Sequence, residues 1–253
     1  MTTLITGAAS GMGRLAALRA AAAGQAVAAL DRDGDSAQRT AMRSPNSRSY
    51  RCDVTDPDDV ARAITSATDE LGVIEHVVHA AGVCEVGSAI EQPIDAARRI
   101  MDINYFGSLH LARAVLPGML AAGRGTLVLF GSLSGWVPSP ALAAYSASKS
   151  AVAAFSEVLA QEVSGSGVRV TCVCPGQVET PFAWNIRAND PGVLGGQHGS
   201  DPETVLDALD GALAGPDCPL FVFPTRTDRY LYRLRRFAPA LLRDQIAQRV
   251  HPK

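Results

Sequence analysis

Lysine is almost missing from this chain. Only Lys149 and Lys253 are lysines among 23 basic residues, and the rest are arginine. Aromatic residues make up only 6% and the net charge is −2. Without a basic excess there is no field to draw in a nucleic-acid backbone. No apolar run reaches the roughly 20 residues of a bilayer-crossing helix. The Ala-rich opening is interrupted by Arg14, Arg19 and Gln25, so neither a membrane span nor a signal peptide is expected. The five cysteines are odd in number and lack paired metal spacing, which speaks against a disulfide framework or a metal site and for reduced thiols in a cytoplasmic protein. Cys172 and Cys174 lie two apart in an apolar run, so a strand there would point both side chains the same way.

What is present is ample apolar material, 47% of 253 residues, enough for one large domain. The pattern alternates strand and helix from end to end. Thr3–Thr6 reads as a short buried strand, followed by Gly7-Ala-Ala-Ser10-Gly11-Met12-Gly13 and a helix. A strand, a Gly-rich turn and a helix form a phosphate cradle, because the backbone can approach a pyrophosphate closely and the helix N-terminus supplies free N–H donors. The next strand, from Ala26 to Leu30, ends in Asp31. An acidic residue there can hydrogen-bond adenine-ribose hydroxyls and would repel the 2′-phosphate of NADP, so NAD is favoured. Arg32, directly after it, softens that preference.

Further strands are expected at Arg48–Cys52, before Asp53 and Val54, at Ile74–His79, before Ala80-Ala81-Gly82, at Gly125–Phe130, at Val168–Cys174, before Pro175-Gly176, and at Leu220–Phe223. The region Ile94–Ala122 reads as one long helix with a kink or restart at Pro117. Residues 181–200 read as an irregular substrate loop, and residues 226–253 as a docked helical tail rich in arginine. No linker and no repeat divides the chain. The expectation is an α/β fold: a single doubly wound Rossmann-type domain over 1–253, with a mostly parallel seven-stranded sheet covered by helices on both faces.

The one internal lysine falls in Tyr145-Ser-Ala-Ser-Lys149. On a helix this spacing puts a phenol and an ammonium on one face, and a nearby cation eases ionisation of a phenol. Alone, the pattern also fits an exposed helix face. Taken together, Thr6-Gly-Ala-Ala-Ser-Gly-Met-Gly13, Asp31, Asp53-Val54, Ala80-Ala-Gly82, Asn104, Ser132, Tyr145-Ser-Ala-Ser-Lys149 and Pro175-Gly-Gln-Val-Glu-Thr180 resemble the motifs of short-chain dehydrogenases/reductases, the branch of about 250 residues.

The resemblance implies an oxidoreductase that interconverts a secondary alcohol and a ketone with NAD, or less favourably NADP. It makes Tyr145 the acid/base and has Lys149 hold the nicotinamide ribose and lower the Tyr145 pKa. Ser132 bonds the reacting oxygen, and Asn104 positions a water in a proton relay. Gly7, Gly11 and Gly13 surround the pyrophosphate, Asp31 binds the adenine ribose, and Asp53 with Val54 binds the adenine. Val178 and Thr180 contact the carboxamide, while Ser10, Met12, Ala81, Gly82, Pro175 and Gly176 complete the cofactor site; no metal is implied. An apolar small-molecule substrate of steroid, terpenoid or acyl type fits, with Trp136, Leu142, Phe182, Trp184 and Cys84 as candidate pocket residues and His198 as a solvated loop residue. The family is commonly oligomeric, so a homodimer or homotetramer is expected; nucleic acid and membrane are not expected partners. A competing class is a non-catalytic NAD-binding regulator on the same fold. His79 departs from the family pattern, standing where the first Asn of Asn-Asn-Ala-Gly is common, and the usual Gly-rich ending is replaced by Phe221-Val-Phe-Pro224 and the arginine-rich tail.

Overall fold

The computed structural model describes residues 1–189, 199–215 and 217–242. Seven strands form one sheet: β1 (Thr2–Thr6), β2 (Ala26–Asp31), β3 (Ser47–Arg51), β4 (Ile74–His79), β5 (Gly125–Phe130), β6 (Val168–Val173) and β7 (Phe221–Val222). Their spatial order is β3-β2-β1-β4-β5-β6-β7, and every neighbouring pair is parallel. The expected mixture is therefore fully parallel, as right-handed helical crossovers favour.

The strands read as apolar runs because both sheet faces are covered. The period of two still decides which face each residue joins. Leu4, Ala28, Leu30, Leu127, Leu129 and Cys172 join one core, packed under α3 (Pro57–Leu71), α5 (Gly107–Ala122) and α6 (Ala143–Glu162). Ile5, Val27, Ala29, Val128 and Val173 join the other, under α1 (Gly11–Ala22), α2 (Gly34–Ala41) and α8 (Pro202–Ala214). Cys172 and Cys174 do face the same way, with sulfurs 3.7 Å apart and both buried as free thiols.

Helix starts follow local chemistry. Asp56 accepts from the backbone N–H groups of Asp58 and Asp59 ahead of Pro57, and Asp201 accepts from Glu203 ahead of Pro202. The expected long helix is divided, but not at its proline. Residues Ile94–Met101 form α4, Asp102–Phe106 make a π-helical segment, and α5 runs through Pro117 without a break. Pro117 and residue Arg113, whose carbonyl it orphans, both lie on the exposed side, where water replaces the lost bond. The widening falls instead at Asn104, a placement common for functional residues.

Two other expectations change. The start of the 181–200 loop is a helix, α7 (Pro181–Asn189), and Val178 bridges to Ser200 beyond it; residues 190–198, including His198, lie outside the described residues. Trp136 is not a pocket residue. It packs edge-on against Phe221 at 4.9 Å and Tyr232 at 5.1 Å, in an aromatic cluster under α9 (Arg226–Phe237). The described part of the tail, residues 226–242, packs on the domain here, with α9 started by a capping box between Thr225 and the buried Asp228; residues 243–253 lie outside the described residues.

His79 is fully enclosed at the end of β4. Its Nδ1 meets Thr6 Oγ1 at 2.8 Å, while Nε2 has no partner among the described residues. Burial, reinforced by Lys149, pushes its pKa down to about 3. Between that value and the ordinary 6.5, the unfolded chain takes up a proton that the folded chain refuses. Stability is therefore whole above pH 6.5 and falls with acidity, by up to about 1.4 kcal/mol per pH unit for this one group. Urea melts at pH 7, 6 and 5 should show that slope reduced in His79→Gln; an identical slope in the variant would clear His79 of the effect.

Candidate active site

Strand order reverses beside β1, where the chain first winds toward β3 and then returns to β4. Such a reversal opens a crevice at the carboxyl ends of the strands. Here it is a cleft of about 1690 Å³ lined by residues from nearly every strand end. The Gly-rich turn forms one wall. Gly7 has φ of +70°, and a Cβ there would lie 2.8 Å from Ala81 N. Gly13 is tighter, since its Cβ would lie 2.3 Å from Gly7 O. The turn is tied to β2 by Ala8 N–H donating to Leu30 O at 3.1 Å and Ala9 N–H donating to Asp31 Oδ2 at 3.0 Å.

Asp31 also accepts from Asp33 N–H at 2.9 Å, so it orders the turn and still faces the cleft with acceptor capacity to spare. Asp53 and Val54 line the same end. The Asp53 carboxylate accepts from both Thr55 N–H and Thr55 Oγ1–H, at 2.9 and 2.8 Å. Val54 is buried, and its carbonyl meets His110 Nδ1 at 3.0 Å. Ser10, Gly11, Met12, Ala81 and Gly82 extend the wall, and Pro175, Gly176, Val178 and Thr180 close it from the β6 side. Gly11 has nothing nearer to its added Cβ than Thr180 Cβ at 3.8 Å, which leaves the turn open toward the cleft. A glycine cradle with closed backs, an open front and a carboxylate at its far end fits a dinucleotide.

At the other end Ser132, Tyr145 and Lys149 line the cleft together. Lys149 is buried and donates to Phe130 O at 2.7 Å. Burial lowers its pKa to about 8, which leaves the ammonium form dominant at neutral pH. Its Nζ lies 5.8 Å from the centre of the Tyr145 ring. Burial among neighbouring side chains pushes the Tyr145 phenol above its ordinary range, opposed by a hydrogen bond with Ser132. Tyr145 remains partly exposed to the cleft, so solvent tempers that shift. The expected depression of the phenol is therefore not produced by these side chains alone, because the ammonium is aimed at a carbonyl and not at the phenol oxygen.

Asn104 is buried, and its amide is heavily engaged. Its Oδ1 accepts from Val83 N–H at 2.8 Å, while Nδ2 donates to Val83 O and Ser148 Oγ at 2.9 Å each. Its backbone carbonyl accepts from Ser108 Oγ–H at 2.7 Å. These bonds make Asn104 a strut between the loop after β4 and α6, while Oδ1 and the backbone carbonyl each keep a second lone pair. Ser148 went unnoticed in the sequence, although its place three residues after Tyr145, whose carbonyl it bonds at 2.7 Å, was the available signal. Among the candidate pocket residues, Leu142, Phe182 and Cys84 line the cleft and Trp184 does not.

The model of the short chain dehydrogenase family matches residues 1–191. The chain belongs to the short-chain dehydrogenase family. A curated relative, the 1-deoxy-11-beta-hydroxypentalenate dehydrogenase of Streptomyces exfoliatus, is 36% identical over 225 residues, covering 86% of this chain and 81% of its own. Two solved structures share the fold. A short-chain dehydrogenase from Burkholderia phymatum in complex with NAD has a TM-score of 0.85 at 24% identity, covering 95% of this chain and 94% of its own. One from Burkholderia cenocepacia J2315 in complex with NADP has 0.81 at 26%, covering 97% and 96%. This short-chain dehydrogenase is thus an oxidoreductase of CH–OH groups on a fold that binds a nicotinamide cofactor. Among its described residues no helix is long and apolar enough to cross a membrane.

Proposed function

We propose that this short-chain dehydrogenase uses NAD to interconvert a secondary alcohol and a ketone on an otherwise apolar molecule, with Tyr145 as the acid/base. The observation that carries the reading is the meeting of Ser132, Tyr145 and Lys149 at one end of a cleft whose other end holds the Gly-rich turn and Asp31. The bound nicotinamide dinucleotide would supply the hydride acceptor. Tyr145 Oη takes the proton of the alcohol in one direction and returns it in the other. Ser132 Oγ–H donates to the carbinol oxygen and to the carbonyl oxygen it becomes. The buried Lys149 ammonium, anchored on Phe130 O, would hold the nicotinamide ribose of the bound dinucleotide beside Tyr145. Asn104 is a positioning residue here, because its hydrogen bonds to Val83 and Ser148 brace both walls around Tyr145.

The wall beyond Tyr145 is apolar, with Val137, Leu142, Phe182, Ile186, Leu231 and Leu242 facing the cleft. It suits a carbocyclic or acyl body, and a relative named for a hydroxypentalenate agrees. A panel of secondary alcohols with matching ketones, run with both cofactors, tests the reading; turnover of none of them, alongside calorimetric NAD binding, would favour a non-catalytic regulator.

Asp31 carries the preference for NAD. Its carboxylate, already fixed by Ala9 and Asp33 N–H groups, can accept from ribose hydroxyls but opposes a 2′-phosphate. Arg32, beside it in the cleft, is the observation favouring NADP. Asp31→Ala should shrink the NAD-over-NADP ratio of kcat/KM by roughly 10- to 100-fold, the effect of removing about 1–3 kcal/mol of charge repulsion and lost hydrogen bonding. Affinity for NAD should fall as well, since the turn loses its tie, so the ratio is the decisive quantity. An unchanged ratio would take cofactor choice away from Asp31.

A further inference from the structure

Glu179 lies between Val178 and Thr180, yet it turns away from the cleft that both of them line. Its carboxylate collects donors from two separate pieces of chain. Arg187 Nη1 donates to Oε2 at 2.9 Å, and Arg187 Nη2 donates to Oε1 in a fork-on-fork pair. Trp184 Nε1–H donates to Oε2 at 3.2 Å, and Gly199 N–H donates to Oε1. Arg187 and Trp184 both belong to α7. The Glu179 backbone is fixed in turn, as its N–H donates to Ser200 O at 3.0 Å and Ser200 N–H donates to Gln177 O at 2.9 Å. The close fit at Gly199, whose added Cβ would sit 2.8 Å from the Gln177 backbone, brings its N–H to the carboxylate. These donors, Arg187 first, hold the carboxyl well below its ordinary pKa.

What this carboxylate holds is the substrate side of the site. A helix of nine residues is marginal by itself and needs tertiary contacts to keep its place. The opposite face of α7 puts Phe182, Ala183 and Ile186 into the cleft, and the Phe182 ring centre lies 6.1 Å from that of Tyr145. An anchor on the outer face therefore decides where the inner face meets the reacting group.

We propose that Glu179 is a positioning residue that fixes α7 against Tyr145 and thereby sets affinity for the alcohol; this rests on the role proposed above for Tyr145. Glu179→Ala removes every acceptor, whereas Glu179→Gln keeps an oxygen for Trp184 or Gly199 and loses the ion pair. For the best alcohol of the panel, KM should rise by about 10-fold or more in Glu179→Ala and by less in Glu179→Gln, with kcat and the NAD Kd held within about twofold. Trp184 is one of two tryptophans, the other being Trp136 in the aromatic cluster. Trp184 is already exposed, so the readout is its emission anisotropy, which should fall in the same order, Ala before Gln, as the indole loses its acceptor and gains freedom.

Anisotropy is read without substrate, so unchanged anisotropy overturns the inference even where the chemistry assigned to Tyr145 is right. Lowered anisotropy without any turnover leaves the anchor standing and refutes the role of Tyr145 instead. Lowered anisotropy with an unchanged KM shows that α7 does not govern the alcohol, and a parallel fall in kcat and NAD affinity shows that Glu179 acts through its cofactor-side neighbours; either result overturns the proposal.

Discussion

Tyr145→Phe should lower kcat/KM by roughly 10²- to 10⁴-fold, the range of a lost general acid/base. The substitution removes one oxygen and leaves the ring, so its contact with Phe182 and the start of α6 persist. The phenol is walled by side chains, and Ser132 is the hydrogen-bond partner assigned to it. Thermal stability and NAD affinity should accordingly stay near those of the parent chain, and the loss should fall on kcat more than on KM. Stopped-flow single turnover with the best alcohol would place the loss in the chemical step. A variant that keeps more than about a tenth of parental kcat/KM would remove Tyr145 from the reaction, since 10-fold is below what such a group contributes.

Gly13→Ala should be the most damaging change in the cofactor wall. Its new Cβ would lie 2.3 Å from Gly7 O, 2.6 Å from Gly7 C and 2.8 Å from Thr6 O, all backbone atoms. Gly7 cannot retreat, because the Ala80–Ala81 backbone lies directly behind it. Helix α1 must then lift away from β1, taking with it the turn that forms the cradle. Overpacking of this kind costs about 1–3 kcal/mol and more where only backbone is available to move, and NAD affinity should drop by at least about 100-fold with the displaced turn. Gly118→Ala is the matched control. It lies inside α5 with nothing within 4 Å of its Cβ, so the same methyl should raise stability by about 0.4–1 kcal/mol. Equal melting temperatures for the two variants would show that the close approach at Gly13 does not constrain the fold. Should Gly13→Ala fail to fold at all, while Gly118→Ala folds, the same conclusion about close packing follows.

The sequence reached furthest where the determining chemistry is local. Strand positions agree with the structure to within a residue or two, because apolar runs bounded by turn and capping residues such as Asp56 and Asp201 act on their immediate neighbours. The glycine turn was legible for the same reason, since its partners are the strand before it and the helix after it. Tyr145 and Lys149 were legible as a pair because a helix fixes their spacing. The orientation of the ammonium was not, because Phe130 O, its acceptor, comes from a different strand.

The misreadings have a common cause. Trp136 looked like a pocket residue because its loop precedes Tyr145, but Phe221, Phe223 and Tyr232 come to it from the far end of the chain. Residues 181–189 lack apolar periodicity as a string, and they are helical because the cleft takes Ala183 and Ile186 while Glu179 takes Arg187 and Trp184. Asn104 also braces Val83 and Ser148 through its amide, contacts that the family pattern alone does not show.

By itself, then, the sequence determined the alternation of elements, the glycine turn and the pairing of Tyr145 with Lys149 on one helix, because each depends on neighbours within a helical turn or a strand pair. The tertiary structure alone decided which carbonyl the one internal lysine holds, where α7 sits and which carboxylate keeps it there. Those contacts join segments that meet only once the sheet order has brought β1, β4, β5 and β6 side by side, and nothing in the local sequence encodes that order.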